Sequence, residues 1–271
     1  MPELPEVETV RRGLAPRVVG RCIVCVTVRE RRLRQPVPAD FEARLTGQRI
    51  DAIARRGKYL LLSVGTETLL IHLGMSGRLR LLPEAVAPGR HDHVDLALSD
   101  GTLLRLHDPR RFGLMLLCHG PPAAHPLLAD IGPEPLGTDF SDSYLYARSR
   151  GHRVAVKNFI MDSHVVAGVG NIYASEALFI AGIRPTHQAR RLSRAQCGRL
   201  VWAIRATLEK AIACGGTTLR DFFGVAGQPG YFKQELFVYG RAGAPCRCCE
   251  TVIVERRVGQ RSSFYCPHCQ R

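Results

Sequence analysis

Lysine is scarce in this chain. Of its 38 basic residues only Lys58, Lys157, Lys210 and Lys233 are lysines, and the other 34 are arginines. A lysine inside a motif is therefore less readily dismissed as filler. There is one tryptophan, and aromatic residues make up only 7% of the chain. No apolar run approaches the ~18 residues of a membrane-spanning helix, so no membrane is expected. The opening MPELPEVETV carries Glu3, Glu6 and Glu8 and has no apolar stretch behind a basic patch, unlike a secretory signal. A soluble, cytoplasmic protein is expected. The balance of 45% hydrophobic and 23% charged residues is that of an ordinary globular chain. It excludes both intrinsic disorder and a small disulfide-stapled scaffold. Acidic residues number only 24, leaving a formal charge of +14. Arginine bridges phosphate oxygens with two parallel hydrogen bonds, so the excess points to a polyanion such as nucleic acid.

The 271 residues allow about two domains of usual size and a small third. Leu4, Val7, Val10 and Leu14 recur at helical spacing, predicting a helix over 3–14 that Pro16 and Gly20 end. Eight short runs rich in Val, Ile and Leu follow, at 22–28, 49–54, 59–64, 68–73, 78–82, 93–98, 103–106 and 113–118. That pattern predicts an antiparallel β-sandwich or barrel. Beyond about residue 135 the pattern turns helical, at 141–150, 171–181 and 193–214, with Ser193 as N-cap and Gly215-Gly216 as stop. A short helix over 217–223 and a glycine-rich loop over 224–230 complete this part. The expected architecture is multidomain α+β: a β-sandwich domain with an N-terminal helix (1–132), a helical domain (133–236) and a C-terminal cysteine-bearing module (237–271).

Five of the ten cysteines lie in that last module. Cys246-x2-Cys249, sixteen residues, then Cys266-x2-Cys269 is the spacing of two knuckles that complete a tetrahedral four-sulfur Zn2+ site. Residues 252–255 and 262–265 supply a hairpin, so the module reads as a zinc ribbon with one structural Zn2+. Cys248 lies out of register, and Cys22, Cys25, Cys118, Cys197 and Cys214 read as ordinary thiols.

At the amino terminus a small second residue permits removal of Met1, which would leave Pro2 with a free secondary amine. An α-amino group has a pKa near ~8, so a useful fraction is neutral and nucleophilic near neutrality. Attack on a sugar C1′ would give an iminium, an electron sink that acidifies the C2′ proton. Glu3 and Glu6 could then exchange protons. The same residues also suit a plain helix start, with proline in the first turn and acids facing the dipole. Residues 1–8 alone favour the plain helix start.

A wider set of motifs resembles the bacterial formamidopyrimidine-DNA glycosylases, also called 8-oxoguanine DNA glycosylases. These are MPELPEVETVRRGL at the start, Arg56-Gly57-Lys58-Tyr59-Leu60, His72-Leu73-Gly74-Met75-Ser76-Gly77, His91-Asp92-His93 and Asp108-Pro109-Arg110-Arg111-Phe112-Gly113. Residues 168–176, GVGNIYASE, resemble the family's helix–two-turn–helix segment, and Gly230-Tyr231-Phe232 and the terminal ribbon follow in family order. The resemblance implies that Pro2 is the Schiff-base nucleophile, Glu3 the general acid–base group and Glu6 a second carboxylate. It implies Lys58 as proton donor in β-elimination, and Arg261 in δ-elimination and flanking phosphate contacts. Met75, Arg110 and Phe112 match the triad that fills the gap left when a damaged nucleotide is flipped out. His91, Lys157 and Asn171 match DNA contacts, Asn171 at a helix start where backbone amides favour phosphate. Some relatives carry a lysine run near 150–153, whereas this chain has Arg150-Gly151-His152-Arg153, so Arg153 is the expected contact there. Residues 217–231 match the loop over the flipped base.

The implied activity is excision of oxidised purines from double-stranded DNA, with strand cleavage by β,δ-elimination, by a nucleoid-associated bacterial monomer. The duplex would be bent at the cleft between the domains. Two alternatives share many of these features: an endonuclease VIII-type glycosylase for oxidised pyrimidines, and a non-enzymatic zinc-ribbon protein that only binds lesions. Leu4 after Pro2-Glu3, the Gly74–Gly77 loop and Arg110-Arg111-Phe112 favour the purine type. Pro2, Glu3 and Lys58 together favour an enzyme.

Overall fold

A computed structural model describes residues 2–83, 86–216 and 236–271. The expected helix over 217–223 and the loops over 224–231 lie outside the described residues. The chain forms two compact units, the first built on residues 2–129 with 214–216, the second on 130–213 with 236–271.

In the first unit, helix α1 (Leu4–Val18) precedes β1 (Ile23–Val28), α2 (Phe41–Leu45) and β2 (Ile50–Arg56). Strands β3 (Tyr59–Val64), β4 (Glu67–His72), β5 (Arg78–Pro83), β6 (Asp92–Leu98), β7 (Thr102–His107) and β8 (Leu114–His119) follow, then the short α3 (Pro126–Ala129). Two four-stranded antiparallel sheets, ordered β1-β6-β7-β5 and β2-β3-β4-β8, give the expected sandwich. Strand β3 shows why: Leu60, Leu62 and Val64 alternate inward, while Tyr59, Leu61 and Ser63 stay half-exposed. Val7, Val10, Leu14 and Val18 of α1 join the same core. The helix runs one turn past the predicted end, with Pro16 inside it. Near a helix C-terminus the proline costs one intrahelical bond, and burial of Val18 offsets it.

The second unit contains α4 (Asp142–Ser149), α5 (Val156–Met161), α6 (Asn171–Ile180), α7 (Arg194–Ala213) and the hairpin β9 (Val254–Val258) and β10 (Arg261–Tyr265). Ser193 caps α7 through its hydroxyl, which accepts from Gln196 N–H at 3.1 Å, and the helix ends before Gly215 and Gly216, both at positive φ. Strand β9 extends three residues beyond the predicted hairpin because Val258 is buried. The ribbon does not fold apart from the helices. Phe179 of α6 stacks on Phe237 and shares a small core with Val238, Ile253 and Phe264. A module with so little apolar surface needs such a neighbour.

Candidate active site and nucleic-acid interface

The amino-terminal motif becomes the buried start of α1. Pro2 is buried, and Glu3 and Glu6 are each only 2% exposed. Glu3 is the N-cap, and its backbone N–H donates to Glu6 Oε2 at 2.9 Å, the reciprocal arm of a capping box. The chain after α7 passes close by: a side chain at Gly216, whose φ is +83°, would meet Glu6 Oε1 at 3.2 Å. Both readings of residues 1–8 are thus compatible with the same geometry. The acids cap the helix and also hold two carboxylates beside Pro2.

Lys58 occupies the two-residue turn between β2 and β3. Arg56 pairs with Tyr59 across it, and Gly57 alone has positive φ, +55°, as a type II′ turn requires. Nearby His72 packs against Tyr59 in a tilted pair, with ring centroids 4.7 Å apart. Burial, and then the positive charges of Arg34 and Lys58, push His72 down to a pKa of about 4. It is therefore neutral at pH 7, and its Nδ1 accepts the N–H of Gly74 at 2.9 Å.

Gly74 opens the loop carrying Met75, and this loop interlocks with the one carrying Arg110 and Phe112. A Cβ at Gly74 would lie 2.3 Å from the Phe112 carbonyl carbon, and its φ of +62° also demands glycine. Fully buried Asp108 joins the loops: Oδ1 accepts Ser76 Oγ–H at 2.7 Å and Oδ2 accepts Gly113 N–H at 2.8 Å. Ser76 Oγ in turn accepts the N–H of Arg110 at 3.2 Å. Phe112 is 45% exposed, and the Arg110 guanidinium lies over its ring at 4.8 Å. Met75 is half-buried. A phenylalanine so exposed is not a core residue. His91 stands beside this tip, since its carbonyl accepts Asp108 N–H at 2.9 Å.

In the second unit Asn171 is the first helical residue of α6, and Gly170, not Asn171, is the N-cap. The Asn171 side chain instead donates to Tyr239 Oη at 3.5 Å. Gly170 has the extended backbone that a cap needs. Arg153 is exposed, as a phosphate contact must be. Lys157 differs from expectation: it is fully buried on α5, and its Nζ donates to Ser262 O at 2.8 Å and Ser263 Oγ at 2.7 Å. It grips the ribbon hairpin from inside instead of standing on the surface. Arg261, exposed at the start of β10, sits beside that grip. The preceding Gly259 is pressed on α5, where a Cβ would come within 2.6 Å of Asn158 Nδ2.

The sulfurs of Cys246, Cys249, Cys266 and Cys269 all lie within 4.8 Å of one another. Sγ pairs stand 4.0 Å (Cys246–Cys269), 3.5 Å (Cys249–Cys266) and 3.4 Å (Cys249–Cys269) apart. A tetrahedron with Zn–S bonds of ~2.3 Å has edges of roughly 3.8 Å, so the cluster fits zinc. The Cys248 and Cys269 amides approach the sulfurs of Cys246 and Cys266 at 3.4 Å, as second-shell donors to thiolates do. Cys248 itself is exposed and outside the cluster. The closed donor set is that of one structural Zn2+.

Two buried polar residues hold this unit together. Buried Glu176 of α6 accepts N–H bonds from Phe237, Val238 and Tyr239 at 2.7, 3.0 and 2.9 Å, fastening the entry to the ribbon. Gln270 accepts Cys266 N–H and donates to Ile183 O, both at 2.9 Å. The only signal was a carboxylate in an otherwise apolar helix.

No described helix is long and apolar enough to cross a membrane. Family models match residues 1–115 (formamidopyrimidine-DNA glycosylase N-terminal domain), 131–223 (its H2TH domain) and 243–271 (zinc finger found in FPG and IleRS). A formamidopyrimidine-DNA glycosylase of Thioalkalivibrio sulfidiphilus is 59% identical over the full length of both chains. A Lactococcus lactis FPG variant, solved with Fapy-dG containing DNA, aligns over 100% of both chains with a TM-score of 0.92 and 35% identity. MutM solved with carbocyclic 8-oxo-G containing DNA aligns as fully, with a TM-score of 0.91 and 36% identity. With matches in all three segments and a relative this similar end to end, the chain belongs to the formamidopyrimidine-DNA glycosylase family.

Proposed function

We propose that this chain is a base-excision DNA glycosylase and AP lyase that removes oxidised purines from duplex DNA. The observation that carries the reading is the tip of exposed Arg110 and Phe112 with half-buried Met75, locked by Asp108, in the same unit as the buried Pro2-Glu3-Glu6 start. Relatives bound to Fapy-dG and 8-oxo-G DNA support oxidised purines over pyrimidines. Met75 and Phe112 replace the stacking of the extruded nucleotide, and the Arg110 fork faces the orphaned base. Exposed Arg153, Arg261 and the amino end of α6 at Asn171 hold phosphates, and His91 contacts DNA beside the wedge.

After loss of Met1, the Pro2 nitrogen forms a bond to C1′ as the N-glycosidic bond breaks and its electron pair leaves with the base. Glu3 manages protons at the sugar, with Glu6 beside it. The C1′–O4′ bond then opens, its electron pair leaving on the ring oxygen, which takes a proton through Glu3, and the Pro2 nitrogen, having lost its own proton, is left as an iminium. The iminium acidifies C2′, so the 3′ phosphate leaves by β-elimination, aided by Lys58. The 5′ phosphate leaves by δ-elimination, aided by Arg261. The zinc organises the ribbon and takes no part in these bonds. Residues 1–132, 133–236 and 237–271 act as catalytic, helix–two-turn–helix and ribbon modules of a cytoplasmic, nucleoid-associated monomer.

Borohydride added to a reaction on an 8-oxoguanine duplex tests this. Peptide mapping should place the adduct on Pro2, and Pro2→Gly should neither trap nor cut at the normal rate. Faster excision of thymine glycol than of 8-oxoguanine would return the endonuclease VIII-type reading. Binding without any strand cutting would return the lesion-binding one.

A further inference from the structure

Glu8 lies on α1, two turns inside the chain from Pro2, and is 8% exposed. Its carboxylate gathers three guanidinium groups. Arg11 donates at 3.0 and 2.8 Å and Arg12 at 2.8 Å, both from the same helix. The third is Arg55 of β2, whose Nε donates to Glu8 Oε2 at 3.2 Å. The other end of Arg55 turns along its own strand, and its Nη1 donates to the carbonyl of Gly57 at 2.9 Å. Gly57 is the residue before Lys58. One guanidinium thus bridges the nucleophile's helix and the backbone of the lysine's turn.

Stability alone does not account for this arrangement. Val7, Val10, Leu14 and Val18 already fasten α1 to the core. A buried ion pair adds little net stability over apolar packing, because desolvation offsets most of the attraction. What it adds is direction. The turn after β2 contains glycine in the left-handed region, the most permissive backbone available, and a fixed Gly57 carbonyl removes that freedom. Burial alone would raise the Glu8 carboxyl, but the hydrogen bonds from Arg11 and Arg12 and the charges of Arg11 and Arg55 hold it well below the usual carboxylate range. The bridge is therefore ionised at neutral pH.

We propose that Glu8 and Arg55 are positioning residues that hold the Lys58 turn in reach of the sugar bound to Pro2. The proposal rests on the roles of Pro2 and Lys58 given above. It places Glu8 and Arg55 in the elimination step and not in imine formation, since Pro2 reaches C1′ without the turn.

The test uses the full chain and a duplex with a preformed abasic site, followed by borohydride trapping and by strand cleavage in single turnover. Arg55→Met and Glu8→Gln should each lower cleavage relative to trapping by about tenfold, the scale of a small misplacement of a catalytic group. Trapping rate and affinity for a tetrahydrofuran duplex should stay within about twofold, because such a residue does not touch the substrate. Arg55→Lys, with one ammonium for two acceptors, should fall between, and the double variant should be no worse than Arg55→Met. A wild-type ratio of cleavage to trapping in folded Glu8→Gln or Arg55→Met protein overturns the proposal. Should Arg55→Met not fold, isosteric Glu8→Gln carries the same test. Failure of the underlying reading looks different: the wild-type adduct would map away from Pro2, or Lys58→Met would cleave normally.

Discussion

The ammonium of Lys157 donates to Ser263 Oγ at 2.7 Å, joining α5 to β10 across 106 residues of chain. This bond and its companion to the Ser262 carbonyl fix β10, the hairpin strand whose first residue is Arg261. A lysine with the sequence context of a phosphate ligand thus works one layer beneath the surface.

Lys157→Met should therefore weaken DNA binding through the hairpin, not through loss of a phosphate contact. The signature is the salt dependence. A lost phosphate contact lowers the slope of log K against log salt by about 0.9. Lys157→Met should leave that slope unchanged, whereas Arg261→Ala should reduce it by about one contact. The buried partners left without a donor should also cost roughly 1–3 kcal/mol of stability. Titrations at several salt concentrations and denaturant unfolding measure both.

Asp108 is the common acceptor of the two wedge loops, and Asp108→Ala leaves Ser76 Oγ–H and Gly113 N–H without it. We expect lesion excision to fall by at least about tenfold, as when a reacting constellation loses its orientation. Trapping on a single-stranded abasic oligonucleotide, which needs no wedge, should change much less. Equal losses on both substrates would show that Asp108 supports the whole unit and not the tip.

His72 gives a pH dependence with a defined sign. Its folded pKa of about 4 lies below its ordinary value of 6.5, so the unfolded chain binds the extra proton first. Its contribution is complete above pH 6.5 and is lost as pH falls through 4. Stability measured from pH 7 to 4 should decline less steeply in His72→Gln than in wild type. The same slope in both proteins would remove His72 from the account.

Zinc removal should unfold the ribbon, because ligand binding and folding of so small a module are one equilibrium. A thiol reagent should release one zinc per chain, and DNA affinity should fall with it. Imine formation on a short single-stranded abasic substrate should survive. Full duplex affinity after zinc release would separate the ribbon from DNA binding.

Much of this molecule was legible in the sequence because local patterns carry it. Alternation in residues 59–64 gives β3, helical spacing of Leu4, Val7, Val10 and Leu14 gives α1, and two Cys-x2-Cys knuckles give the metal site. Pro2, Glu3 and Lys58, the residues proposed to carry the chemistry, also stand out in the sequence by scarcity and position.

Tertiary structure decided what those patterns do not encode, namely which distant groups meet. Nothing local to Lys157 says that its ammonium is enclosed by a hairpin. Nothing local to Glu8 says that its carboxylate meets Arg55 of β2, or that Asp108 will hold the loop of Ser76. Each of these is a charged or polar group taken out of water, and burial without a partner is costly. Sequence periodicity reports which positions avoid water. Only the packed chain supplies the partners that let a charge do the same.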